Sequence, residues 1–212
     1  MGDRLAVGHA ALNRVTLVRI QVSQQMKNLK KINNALIEEY FQKYQNDKRY
    51  FVTDEALDTL YKAFPGNSDL KSVLLKVSAL NALYNVHVYA VFKMAEHILS
   101  LKIDSLVNNG DLGVVKKIAE VDFVNRKFYS FSTKYCHWHN MEQYPIYDSF
   151  VDKILWEYQR QDRFSDFLRA DLTDFSKFKK ILKDFREHYS LQEKNLRKID
   201  KFLWIYGKEM FP

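Results

Sequence analysis

The residues YPIYDSFVDKIL, positions 144–155, place one carboxylate, Asp148, between a proline-stiffened approach and an amphipathic stretch with helical spacing. An aspartate directly before such a stretch caps the first free N–H groups of the helix, a contribution of about 1 kcal/mol. The helix N-terminus in turn favours the ionised form of a carboxylate. At a cleft, an ionised carboxylate can activate a nucleophile or stabilise a cationic transition state, and breaking a glycosidic bond calls for both. On these residues alone, capping and catalysis both stay open for Asp148.

Other chemistries are poorly supplied. His137 and His139 are two residues apart, which points them to different sides of a helix. Cys136 does not repair that geometry, and neither a CxxC nor an HExxH pattern occurs, so no metal site is expected. Glycine loops that cradle phosphates are absent, as is a GxSxG elbow. Cys136 sits among aromatic residues and reads as buried rather than nucleophilic.

Helices must position whatever chemistry there is. NLKKINNALIEEYFQKY places Leu29, Ile32, Leu36, Ile37 and Tyr40 on one face. TDEALDTLYKAF opens with Thr53 and Asp54 as caps, and PGNSD, residues 65–69, is the clearest turn. The run SVLLKVSALNALYNVHVYAVFKMAEHIL is too uniformly apolar for a surface helix and reads as two buried helices broken near Tyr84–His87. After a break at VNNGDLG, GVVKKIAEV gives a short helix, and RKFYSFSTKYCHWH follows a tight connection around Asp122–Arg126. DSFVDKILWEYQRQ turns Phe150, Val151, Ile154, Leu155 and Tyr158 inward, and helices over Phe178–Tyr189 and Leu191–Tyr206 complete the pattern. Pro65 and Pro145 both fall between helices, as an all-α chain requires.

The 212 residues are 47% apolar and 15% aromatic, which excludes disorder, and six glycines with three prolines favour helices over a turn-rich β architecture. They are read as one all-α, compact multi-helix domain, 1–212. One cysteine rules out an internal disulfide framework and fits a reducing compartment. No stretch of about 18 uncharged apolar residues suggests a membrane span. In MGDRLAVGHAALNRVTLVRI, Arg14 and Arg19 argue against a signal peptide, and Ala6 stands where a myristoylation signal after Gly2 has Ser or Thr. A cytoplasmic protein with no membrane partner is expected. The net charge of +7 is uneven: residues 1–64 carry +3, residues 65–175 carry −1 and residues 176–212 carry +5. Such a bias suits contact with a polyanion.

Against this background, YPIYDSFVDKIL resembles the segment of helix-hairpin-helix DNA glycosylases in which an apolar stretch ends in a catalytic aspartate that begins the next helix. SFSTKYCHWHNMEQ, residues 130–143, is similar to the corresponding signature of bacterial 8-oxoguanine DNA glycosylase-like proteins, where a Pro-Ile-Tyr-Asp motif follows. The placement of KVSALNALYNVHVYAVFKMAEHIL is similar to the superfamily's early helix pair. The resemblance covers a core of about residues 70–160, with residues 1–69 and 161–212 read as flanking helices.

The resemblance implies a helix-hairpin-helix fold and a monomer acting on double-stranded DNA that contains a damaged base. The reaction would be base extrusion followed by cleavage of the N-glycosidic bond to an oxidised purine, with AP-lyase activity where a lysine attacks. Asp148 takes the place of the catalytic aspartate. Lys127, 21 residues ahead of it, has the better spacing for the nucleophilic lysine, and Lys134, 14 ahead, the better motif match; Lys134 is favoured, and water is the remaining alternative. Asn81, Tyr84 and Asn85 fall where the loop probing the opened duplex should be. Tyr129, Phe131, Tyr135, Trp138 and Tyr147 supply rings for stacking on an extruded base, and His137 or His139 a hydrogen bond to its edge. For each of these, core packing is the competing reading.

One departure stands out. The superfamily hairpin carries glycines that let backbone amides approach a phosphate, and EVDFVNRKF has none. Side chains of Asn125, Arg126 and Lys127 would then meet the phosphate, joined by Lys198, Lys201 and Lys208 from the C-terminal RKIDKFLWIYGKE. Failing that, a non-catalytic nucleic-acid-binding or protein-interaction helical protein is the alternative. No cofactor is implied, since one cysteine cannot ligate an iron–sulfur cluster.

Overall fold

Aspartate and asparagine side chains start most of the helices. The computed structural model describes residues 28–212; the N-terminal segment read above for leader and lipidation signals lies outside the described residues. Asn33 caps α1 (Asn34–Asn46), accepting from Leu36 N at 2.8 Å, and Asp47 caps α2 (Lys48–Ala63). Asp69 caps α3 (Leu70–Tyr84), whose end passes through Asn85 and His87, both in the left-handed region, before α4 (Val91–Ser100). α5 (Asp104–Asn108) and α6 (Gly113–Ala119) are short and flank Gly110, where φ is +70°. α7 (Tyr129–His139) is followed by α8 (Ser149–Asp162), capped by Asp148. A 3-10 turn (Arg169–Thr173) leads into α9 (Phe175–His188), capped by Asp174, and α10 (Leu196–Met210) is capped by Asn195.

The all-α expectation holds for the described residues, where a lone bridge between Glu120 and Lys127 is the one β feature. No helix among them is long and apolar enough to cross a membrane. The break inside the long apolar run falls where the spacing places it, with Asn85 as the left-handed cap of α3. Several boundaries differ. Thr53 and Asp54 do not cap α2; Asp47 does, accepting from Arg49 N at 2.9 Å, so Asp54 lies in mid-helix. Leu29 and Ile32 are buried but precede α1. Leu191 is buried in the turn before α10, and α5 was not foreseen.

One cluster of buried apolar residues runs from Leu29 to Tyr206. α10 packs on α8 and α1, α3 on α4, and α6 on α7, while α7 also touches α2 and α3. Every residue from Phe131 to Trp138 is buried. α7 is therefore a central helix, and any charged group on it is forced inside.

Gly207 sets how α10 meets the first turn of α8. A Cβ there would stand 2.7 Å from the carbonyl oxygen of Phe150, a contact with backbone that no rotamer change relieves. Gly207→Ala is expected to lower the chemical-denaturation midpoint, with a loss of about 1–3 kcal/mol from overpacking. The modest gain in helix propensity is too small to offset it.

Candidate active site

A cavity of about 300 Å³ opens between α2, the end of α3, α7, the start of α8, and α10. This lies at the lower end of the range for small-ligand sites, about 300–1,000 Å³. α7 contributes Lys134, the α8 N-terminus Asp148, and α10 the residues Asp200, Lys201, Trp204 and Lys208. Arg49, Tyr50, Thr53 and Asp54 come from α2, and Leu83, Tyr84 and Asn85 from the end of α3.

Lys134 and Asp148 thus line one cavity. Lys134 is 6% exposed, and its hydrogen bond among the described residues is to Ser130 Oγ at 2.7 Å. Burial holds the Lys134 ammonium below the usual lysine range, with the charges of Asp148 and Asp200 acting in the opposite direction. A low value is what an amine nucleophile needs in order to be neutral near physiological pH. Asp148 is half-buried. Its Oδ1 accepts from the N–H groups of Phe150 and Val151, both at 2.9 Å, and among the described residues no donor bonds Oδ2. The carboxylate is therefore a cap on one oxygen while its side chain faces the cavity. Asp47, Asp69 and Asp174 cap helices too, but none of them lines this space.

Two further carboxylates belong to the site, and sequence reasoning missed both. Asp54 is 3% exposed and receives Lys201 Nζ at 2.6 Å and the hydroxyls of Tyr44 and Tyr84 at 2.8 Å each. Burial raises its pKa, but Lys201 and the two hydroxyls outweigh that, leaving it below the usual carboxylate range. Asp54 is thereby fully engaged in holding α2, α3 and α10 together. Asp200 is 8% exposed, and its ion pair among the described residues is a long one, 3.9 Å to Lys201. Burial pushes its carboxyl up to about 7. A signal for this face was present: Asp200, Trp204 and Lys208 recur at four-residue spacing, which stacks them on one side of a helix. At the rim, Tyr50 and Trp204 meet edge to face at 4.7 Å, and Lys208 donates to Tyr50 Oη at 2.8 Å. Arg49 and Lys208 are exposed there.

Other expected site residues lie elsewhere. The Lys127 side chain is 73% exposed and pairs with Glu120 at 2.6 Å, on the α6–α7 connection rather than in the cavity. Lys127 does not line the cavity that holds Asp148. His137 is buried and bonded through Nδ1 to the Tyr144 carbonyl, and His139 lies 3.4 Å from Lys76 Nζ. Burial lowers them to about 4 and about 3, and neither lines the cavity. Trp138 and Tyr147 are also outside it: Trp138 stacks among Tyr61 and Tyr84, and Tyr147 donates to Asp152. Tyr129, Phe131 and Tyr135 are core or near-core packing. The rings available to a ligand are Tyr50, Tyr84 and Trp204 instead.

Asn81 accepts from Val88 N at 2.8 Å and so shapes the α3–α4 loop without lining the cavity, whereas Tyr84 and Asn85 do line it. Asn125 and Arg126 are exposed on the α6–α7 connection, with the Arg126 guanidinium 5.2 Å from the Phe128 ring centre. Lys198 is tied to Glu38 at 2.8 Å. Lys201, expected at a phosphate, is 4% exposed and committed to Asp54, so it is a wall of the cavity and not a surface contact. Burial raises the pKa of the Cys136 thiol.

Fold and site together define an all-helical protein with a buried amine and carboxylates around one cavity. The chain belongs to the HI_0787_N family, whose model, an N-terminal domain, matches residues 36–143. It is similar to an uncharacterized protein of Haemophilus influenzae, 39% identical over 146 residues, which cover 68% of this chain and 70% of the relative. No solved structure matches the chain. The matched domain supplies Asp54, Tyr84, Asn85 and Lys134, while Asp148, Asp200, Lys201 and Trp204 follow it, so the cavity joins the two parts.

Proposed function

We propose that this chain is a DNA base-excision glycosylase of the helix-hairpin-helix type, removing an oxidised, 8-oxoguanine-like purine from duplex DNA. The observation that carries the reading is the shared cavity of Lys134 and Asp148, an amine held below its usual range beside a carboxylate. The resemblance of residues 130–143 and 144–155 to the glycosylase signatures supports it. So do the rings of Tyr50 and Trp204, with Arg49 and Lys208 at the rim where a phosphate backbone would pass.

In this reading the target base is swung out of the duplex into the cavity. The neutral Lys134 amine attacks C1′ and the bond from C1′ to the base nitrogen breaks. The base leaves with the electron pair and takes up the proton that the new C1′–N ammonium releases. Asp148 stabilises the positive charge that develops on the sugar. The nitrogen lone pair then forms a C1′=N bond as C1′–O4′ breaks and O4′ takes a proton from solvent, and strand cleavage follows from this Schiff base on Lys134. Asp200, with its carboxyl near 7, can donate to or accept from a base edge.

The test is borohydride trapping on an 8-oxoguanine duplex. A covalent adduct is expected with the unaltered protein and none with Lys134→Ala, and DNA affinity should fall steeply with salt. Binding without base release or adduct would support a non-catalytic nucleic-acid-binding protein instead. No salt-dependent affinity at all would remove the nucleic-acid reading.

A further inference from the structure

Besides Lys201, which is paired with Asp54, two lysines among the described residues are buried, and they are held in different ways. Lys76 Nζ is ringed by the carbonyls of Phe64 and Gly66 and by Asn67 Oδ1, at 3.1, 2.7 and 2.9 Å. Three oxygen acceptors satisfy the protons of its ammonium and close the end of α2 onto the turn after it, while burial lowers this lysine to about 8. Lys134, equally enclosed, has the single hydroxyl of Ser130 at 2.7 Å among the described residues. Asp148, Asp200 and Lys201 act on it through their charges, and the Tyr84 ring lies 5.9 Å away, but no salt bridge is formed.

The Ser130 hydroxyl has only one proton, and that proton has a second claimant. Ser130 Oγ lies 3.0 Å from the carbonyl oxygen of Tyr147, which can only accept. With its proton given to Tyr147, Ser130 can meet Lys134 solely as an acceptor. A neutral Lys134 amine must then spend one of its own N–H bonds on Ser130, which keeps its lone pair off that hydroxyl. The same hydroxyl grips the peptide of Tyr147, the residue immediately before Asp148. Thr133 adds to the tie: its Oγ1 receives Tyr147 N at 3.2 Å.

We propose that Ser130 is the positioning residue of this site. It accepts from Lys134 Nζ while donating to the Tyr147 carbonyl, so that one hydroxyl aims the amine's lone pair into the cavity and fixes the amine relative to Asp148. The inference rests on Lys134 being the functional amine. It goes further in assigning a role to a residue that does not line the cavity and acts only through Lys134 and the Tyr147 peptide.

The test uses Ser130→Ala and Ser130→Thr in the full chain, with two readouts. The first needs no DNA: the Cε resonance of Lys134 is titrated by NMR in protein carrying 13C-labelled lysine. Loss of an acceptor that favours the ammonium should lower the midpoint by about one pH unit in Ser130→Ala, and Ser130→Thr should restore it. The second is the rate of borohydride-trappable adduct formation on an 8-oxoguanine duplex, measured at saturating enzyme and at pH values above that midpoint. There the amine is neutral in every variant, so a fall of about tenfold or more in Ser130→Ala reports lost orientation. DNA affinity should be unchanged, and Ser130→Thr should recover most of the rate. A Lys134 midpoint unmoved by Ser130→Ala, or a Thr variant as slow as the Ala variant, would overturn the proposal. If the unaltered protein gives no adduct, the glycosylase reading fails, and the NMR titration still decides the role of Ser130.

Discussion

Asp148→Asn is expected to leave the protein folded while cutting base release at least about 100-fold. Asparagine caps a helix about as well as aspartate, so the bonds that Oδ1 accepts from Phe150 and Val151 should survive. The charge does not survive. It is one of the two that favour the Lys134 ammonium, and it is the carboxylate of the α8 start that faces the cavity. A thermal melt and a single-turnover base-release assay on the same preparation separate the two roles. Unchanged melting with lost turnover assigns Asp148 to the chemistry, and both unchanged would reduce it to a cap.

The second large effect is on stability. Asp54→Ala should destabilise the fold by about 3–5 kcal/mol, read as a lower urea midpoint with the slope unchanged. The reason is what stays behind. Lys201 is 4% exposed and would be left with only a long 3.9 Å contact to Asp200, and the hydroxyls of Tyr44 and Tyr84 would lose their acceptor. Replacing both partners with apolar residues, as in Asp54→Leu with Lys201→Met, should recover much of the loss, because neither member of the close pair then stays behind, and Asp200, with its carboxyl near 7, can take up a proton. Failure of the pair to recover would mean that the two tyrosine hydroxyls dominate the cost.

The two expectations draw on aspartates that look alike along the chain. Both Asp54 and Asp148 stand at polar positions near apolar helical runs, and both read as caps. Capping is local, so it is legible where the cap and its N–H partners are two or three residues apart, as with Asp148 and Val151. It misleads where the helix starts earlier, as with Asp54, because Asp47 supplies an equally good start. Periodicity likewise indicates that Lys134 lies on a mostly apolar helix, but it does not distinguish a buried lysine saturated by carbonyls from one left with a single hydroxyl. Lys76 and Lys134 differ only in what other segments bring to them. The His137 and His139 rings show the same limit: helical spacing sets which sides they take, and the packing around α7 then buries His137 and leaves His139 half-buried.

The sequence by itself determined the helical class, the breaks at the PGNSD turn and after Tyr84, and the presence of a carboxylate at the start of α8, because each depends on residues within a turn or two of one another. Only the tertiary structure decided that Lys134 and not Lys127 shares a cavity with Asp148, that Asp54 and Lys201 pair across α2 and α10, and that Asp200 and Trp204 join them. Those choices depend on which faces of distant helices are pressed together and closed off from water. Burial, which sets both the strength of an ion pair and the charge state of an amine, belongs to the packed assembly and to no single stretch of chain.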